Sequence, residues 1–416
     1  MSRLSWNSSR RSFLGWTSAL AGLASLSYPR VSLFAKTERE TTKTLHIYER
    51  LGVRTRINAK GTYTFLSGSL MSPEVTRAME EASCHYVFIP ELQEKVGARI
   101  AEMLGVESAM VTSGAAGAIM LGTAACLAGK DPERIQRLPD LTGMKSEVII
   151  QNTHRNPFDH AIRNTGVKLV VVETSDELEN AFTDKTAMMY FLNAAQHQGK
   201  IGLQQWVAAG KLHGVPTFND AAADVPPPSH LSDYCRMGFD LVAFSGGKGL
   251  RGPQCAGLLL GRNDLIEAAL LNNNPNEDTI GRPCKVGKEE IVGMLVALER
   301  YLKIDHGAEW KEWERRVDAM EEIVSSVPGV STERFVPDVA NHVPHLSVRW
   351  DEAALGITAA ECCRQLLEGE PCIEVLEDDE GHKMGLTPFM MKPAEDVIVA
   401  RRIKQILETA HRGRKA

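Results

Sequence analysis

From Glu107 onward the chain alternates short apolar runs with helix-forming stretches, and this alternation restricts the available folds more than any other feature. "ESAMVT" precedes a small-residue stretch over 115–128, "SEVIIQN" precedes residues 157–164, and "VKLVVVE" precedes residues 176–182. "TAMMYFLN" then leads to a stretch over 203–212, and "VPTFND" to one over 231–237. Strands joined through helices at this spacing form right-handed crossovers, which sets them in a mainly parallel sheet covered on both faces. The runs are continuously apolar, as burial on both faces requires. Only a short segment separates "FDLVAFS" from "CAGLLLG", too little for a helical crossover, so the last strand is expected to run antiparallel at one side of the sheet.

With 416 residues, 43% of them hydrophobic, the chain has enough apolar surface for a sizeable core. Residues 1–40 read as a leader and linker, 41–300 as a large domain with an N-terminal arm, and 301–416 as a smaller C-terminal domain. After Pro283 come helical stretches over 288–303 and 308–324, and a smaller α/β segment follows, with "HVPHLSVRW", "CIEVLED" and a helix over 395–410. The net charge is −6, and 47 Lys and Arg are spread among 53 Asp and Glu, so the clustered cationic face of a nucleic-acid binder is not expected. Eight scattered cysteines include no C-x-x-C pair, so neither a metal site nor a redox pair is expected. After the N-terminus no apolar span reaches the roughly 20 residues of a membrane helix.

Ser9-Arg10-Arg11-Ser12-Phe13-Leu14, ahead of a short, mildly apolar run to Leu26, resembles a twin-arginine export signal, with Gly15 where lysine is frequent. The resemblance implies recognition by the export machinery and a periplasmic or otherwise extracytoplasmic protein. A non-functional signal would leave it cytoplasmic.

In open α/β sheets, ligands bind at the carboxyl ends of the strands, and three signals fall there. In "VTSGAAGA", Ser113 and Gly114 lie between a strand and a helix, where free backbone N–H groups and the helix dipole hold a phosphate. The same small residues also suit a helix that merely packs closely on the sheet. Asp220 ends "VPTFND", where a carboxylate either holds a cationic ring nitrogen or caps the next turn. Lys248 stands among Gly246, Gly247 and Gly249, either as a solvated turn residue or as an amine that the glycines let another group approach. The runs G-x-G-x-x-G and G-x-x-x-x-G-K-[ST] are missing from "VTSGAAGA", which speaks against dinucleotides and nucleoside triphosphates.

A phosphate cradle, an acid for a ring nitrogen and an imine-forming amine are together what pyridoxal 5'-phosphate requires. The order Ser113, Asp220, Lys248 resembles that of the fold-type I pyridoxal-phosphate enzymes. "INAKGTYTFLSGSLMSPEVTRAM", "AMVTSGAAGAI", "FSGGKGLRGPQCAGLLLGR" and "GRPCKVGKEEIVGMLVALE" narrow the resemblance to the bacterial selenocysteine synthase-like group, which includes glucosaminate-6-phosphate ammonia-lyase. It covers nearly everything from Ile57 onward.

The resemblance implies an α/β fold-type I transferase fold, a mainly parallel seven-stranded sheet with a smaller C-terminal α/β domain. Lys248 is then the imine-forming amine and general base, and Asp220 the partner of the ring nitrogen. Ser113, Gly114, Ala115 and Ser245 are placed at the phosphate. His154 stacks on the ring, or else is a capping or core histidine. Gly281 is contributed by a neighbouring subunit of a homodimer or higher homo-oligomer. Arg282 and Lys285 face an anionic group of the substrate, with Lys285 standing where selenocysteine synthase has a second arginine.

The expected activity is that of a lyase or aminotransferase-like enzyme on a small amino acid or amino-sugar acid, with carbanion chemistry at the α carbon. Selenium transfer to seryl-tRNA is the alternative, disfavoured by the short region before Ile57 and the lack of a basic face. A non-catalytic binding protein is disfavoured by the retention of both Asp220 and Lys248.

Overall fold

Seven strands form the central sheet: β1 (Ser108–Thr112), β2 (Glu147–Gln151), β3 (Lys168–Val172), β4 (Thr186–Leu192), β5 (Thr217–Asp220), β6 (Leu241–Ser245) and β7 (Gly257–Gly261). The computed structural model describes residues 46–377 and 382–415, so the twin-arginine motif lies outside the described residues. The spatial order is β1-β7-β6-β5-β4-β2-β3. Strands β2 to β6 pair in parallel, as the helical crossovers dictate. β7 is antiparallel to both its neighbours. It is inserted one position inside the edge, with β1 as the outermost strand.

Alternation along each strand divides the core between two faces. Val111, Ile149, Phe191, Val242 and Phe244 pack on one side with Trp206. Met110, Ile150, Tyr190, Phe218 and Leu259 pack on the other, beneath the helix Gly114–Ala128. A Cβ at Gly122 would stand 2.4 Å from Phe218 Cε2, so the small residues of this helix let it sit directly on the sheet. Burying Phe218 or Tyr190 in this way contributes about 1.5–3 kcal/mol each.

The chain forms two units, residues 1–53 and residues 54–416. The described part of the first is one helical turn, Ile47–Arg50, whose His46 cap accepts from Tyr48 N while Glu49 accepts from His46 N. In the second unit, Val330–Phe335, His345–Trp350, Lys383–Leu386 and Leu376–Glu377 make a four-stranded antiparallel sheet. The helices His306–Ser325, Ala359–Glu368 and Glu395–Lys415 complete its hydrophobic core.

The arm, read from sequence as part of the large domain, joins this smaller core. Arg56–Asn58 pairs in parallel with Cys372–Glu374, and Ile57 and Ala59 are buried there. Beyond the strand, Gln254 donates to Thr64 O at 3.0 Å, and a Cβ at Gly68 would meet Gly247 O at 2.2 Å. The arm thus connects the smaller core to the lysine loop.

Candidate active site at the strand ends

β5 and β6 lie side by side, with Asp220 in register with Ala243. The loop after Asp220 stays laced to β6, since Ala221 N donates to Ala243 O (3.0 Å) and Ser245 N to Ala222 O (3.3 Å). Lys248 follows β6 on a loop pressed against its surroundings. A Cβ at Gly249 would stand 1.9 Å from Val225 O, one at Gly247 2.4 Å from Gln254 Cα, and one at Gly246 2.5 Å from Met294 Sδ. The glycines, read from sequence as room for an approaching group, therefore serve first to admit protein neighbours on these sides. Burial lowers the Lys248 pKa, while the charges of Asp220 and Asp224 act to raise it. The amine makes no hydrogen bond or ion pair with another described residue.

Asp220 is 4% exposed. Its Oδ2 accepts from Tyr190 Oη at 2.7 Å and its Oδ1 from Ala222 N at 3.1 Å. Burial raises the carboxyl's pKa, opposed by these two bonds and by the Lys248 charge. Burial likewise holds the Tyr190 hydroxyl well above its ordinary range, with the Asp220 charge adding to the rise. Tyr190 therefore stays a donor and orients the carboxylate.

Asp224, which sequence reasoning missed, is 2% exposed. Its Oδ2 accepts from Asn193 Nδ2 at 2.5 Å and from Tyr234 Oη at 3.3 Å. Burial pushes its carboxyl up to about 7; the Asn193 bond opposes the rise and the Asp220 charge adds to it. The sole sequence signal was the second aspartate of "NDAAAD", a spacing that by itself distinguishes nothing.

The third strand end carries Ser113, the residue before the helix Gly114–Ala128. Its hydroxyl makes no capping bond, so the N–H groups of the first turn are left to another acceptor. Gly114 adopts φ +69°, a conformation that favours glycine, and nothing lies within 4 Å of where its Cβ would be. Ser113, Gly114 and Ala115 are half-buried, as is Ser245 at the end of β6. Fifteen aligned peptide dipoles make this end electropositive.

The remaining residues singled out from sequence are placed less closely. His154 is fully buried, edge-on to Phe191 at 4.3 Å, with Nδ1 accepting from Leu192 N at 3.1 Å. Burial pulls its pKa down to about 4. These contacts hold the ring in the core beside β4. Gly281 is buried against Asn272 and Leu121, the latter two turns along the helix from Gly114, about 10 Å of axial rise. Within one chain it does not reach the Ser113 end. Arg282 is half-buried and Lys285 exposed, and neither side chain has a hydrogen bond or ion pair with a described residue.

Comparison with known proteins gives a consistent picture. The SelA family, described as L-seryl-tRNA selenium transferase, matches residues 57–311. A 5'-C-glycyluridine monooxygenase-decarboxylase from Streptomyces sp is 30% identical over 89% of this chain and 94% of its own. The D-glucosaminate-6-phosphate ammonia lyase of Salmonella typhimurium is 28% identical over 88% of this chain and 99% of its own. The solved structure of a D-glucosaminate-6-phosphate ammonia-lyase superposes with a TM-score of 0.77 at 28% identity, covering 88% of this chain and 99% of that one. Serine palmitoyltransferase of Sphingomonas wittichii, at 13% identity and a TM-score of 0.55, shares the fold. The chain therefore belongs to the SelA family and has the fold-type I architecture of the pyridoxal-phosphate enzymes.

Proposed function

We propose that the protein is a pyridoxal-phosphate-dependent lyase, or an aminotransferase-like relative, acting on a small amino acid or amino-sugar acid. One observation carries this reading: the half-buried Lys248 amine feels two buried carboxyls, Asp220 and Asp224, at the end of the sheet that also carries an uncapped helix N-terminus. These residues fit the cofactor. The amides of Ser113, Gly114 and Ala115 and the Ser245 hydroxyl are donors for its phosphate. Asp220, oriented by Tyr190, is the acceptor for its ring nitrogen. Lys248, with no hydrogen bond or ion pair among the described residues and with a lowered pKa, is the nucleophilic amine.

When bound, the cofactor supplies an electron sink for the α carbon of an amino substrate. Asp220 holds the ring nitrogen's proton, and Lys248 moves the proton at the substrate's α carbon. Arg282 and Lys285 bind an anionic end of the substrate. Gly281 completes the site from the neighbouring subunit of a homodimer or higher homo-oligomer. The exposed Phe65, Leu70, Tyr86 and Phe88 support that assembly, because an apolar surface of this kind is commonly covered. Sedimentation as a monomer at working concentration would remove the shared site.

The Salmonella relative's name supports an amino-sugar acid and elimination of ammonia; the Streptomyces relative's name adds decarboxylation. Selenium transfer has less support, since the Alkaliphilus metalliredigens transferase aligns over 61% of this chain and 57% of its own. The test is to incubate the purified holoprotein with amino acids and amino-sugar acids, with and without a terminal phosphate, and to follow ammonia, oxoacid and carbon dioxide. Ammonia with a matching oxoacid is expected. Turnover of seryl-tRNA alone would overturn the reading.

Export by the twin-arginine route to the periplasm belongs to the same proposal and is supported by Arg10-Arg11 ahead of Phe13-Leu14. Export in the folded state delivers an enzyme already loaded in the cytoplasm. Cell fractionation of the native chain and an Arg10→Lys, Arg11→Lys variant tests this, and equal cytoplasmic retention of both would refute it.

A further inference from the structure

Asp224 has no part in the chemistry just described, yet the loop that carries it is built around Lys248. Residues 221 and 222 are hydrogen-bonded to β6, and the absent Cβ of Gly249 leaves its backbone against Val225 O. The residue after Asp224 thus packs on the residue after Lys248. The carboxylate itself is clamped. Asn193 and Tyr234 both donate to Oδ2, and His230 Nδ1 lies 2.8 Å from the Asp224 carbonyl. Asn193 Oδ1 is buried without a hydrogen-bond partner among the described residues, so the amide is turned to serve this carboxylate.

The groups around Asp224 come from four elements. Asn193 stands after β4, Tyr234 and His230 on the helix His230–Met237, Lys248 after β6, and Asp220 at the head of its own loop. From the smaller sheet's side, the uncharged Asn341 donates its N–H to Ala223 O at 3.0 Å, and the neighbouring His342 turns Nδ1 to Pro337 O. Lys248 is the cation whose charge Asp224 feels, and Asp220 the competing anion. Asp220 is already committed to Tyr190 and Ala222.

We infer that Asp224 is a positioning residue that sets the charge of the Lys248 nitrogen. Ionised, it stabilises the protonated nitrogen; on taking a proton from solvent, it withdraws that support. Burial places its own titration near neutrality, which agrees with this role. The inference rests on the pyridoxal-phosphate reading, because the nitrogen is followed through the absorbance of the cofactor attached to it.

The test is a pH titration of the visible absorbance of the holoprotein. Removing an anion beside the nitrogen makes its proton easier to lose, so Asp224→Asn is expected to lower the midpoint by about one unit, tenfold in proton affinity. Tyr234→Phe removes a donor that favours the carboxylate, and should lower it by less. The double variant should titrate no lower than Asp224→Asn, and Asp224→Glu should recover part of the shift. A purely structural role would change the melting temperature and leave the midpoint in place. An unmoved midpoint in Asp224→Asn with the band intact overturns the inference alone, whereas no cofactor on Lys248 overturns both it and the reading beneath it. Should Asp224→Asn fail to fold, Tyr234→Phe decides by the same criterion.

Discussion

Gly249 and Gly114 are both glycines beside the site, but different physics holds each of them there. Alanine at 249 sets a methyl 1.9 Å from Val225 O, so the lysine loop must move. The expected cost is about 3 kcal/mol, in the range of overpacking, together with loss of cofactor occupancy. Alanine at 114 meets nothing within 4 Å and bears only the cost of φ +69°, about 1 kcal/mol. Urea unfolding of the two variants separates these effects, and equal losses would contradict the steric account. Asp220→Asn should fold and bind cofactor but lose roughly 100-fold or more in kcat, because a neutral amide does not hold a ring nitrogen protonated. Activity within a few-fold of the native enzyme would show that this carboxylate is not the ring partner. Asp220 and Lys248 were legible because charged residues stand out at the ends of apolar runs. Tyr190 was not, because "TAMMYFLN" reads as uniformly buried and its hydroxyl looks like another core group. His154 left two readings open, because its tertiary neighbours, Phe191 and Leu192 N, have no signature in the sequence.

Among elements, the loop over 221–229 carries the clearest pH signature. The Asp224 pKa is raised in the folded state, from 3.8 to about 7, so the native protein holds that proton more tightly than the unfolded chain does. The stability gained this way is complete below the unfolded value and is lost as pH rises through about 7. Relative to Asp224→Asn, the native protein should therefore weaken between these limits by roughly 2–4 kcal/mol. Chemical denaturation of both proteins at the two ends of the window checks this; a difference that does not vary with pH would contradict it. The parallel strands were legible because burial on both faces leaves them continuously apolar. β7 was recognised as antiparallel from the short connection before it, but its place inside β1 depends on which strand end the first crossover leaves open. The strand Arg56–Asn58 escaped notice because three residues show no period, and its partner lies more than 300 positions away. Val330–Phe335, largely exposed, lacks the apolar run that marks a strand.

At the scale of the whole molecule, the lysine loop is the meeting point of the large sheet, the arm and the smaller core. Gln254 and Gly247 meet the arm, and Arg251 pairs with Glu309 at 3.0 Å and lies over the Phe389 ring. The smaller core thereby helps fix the position of the loop that carries Lys248. The substrate was less legible because Arg282 and Lys285, the residues proposed to face it, make no side-chain hydrogen bond or ion pair among the described residues. The central claim is that the cofactor is attached to Lys248, and borohydride reduction of the purified holoprotein followed by peptide mapping measures this directly. A single pyridoxyl-modified peptide containing Lys248 is expected, and it should disappear in Lys248→Ala. Modification of a different lysine, or no visible cofactor band after reconstitution, would contradict the account.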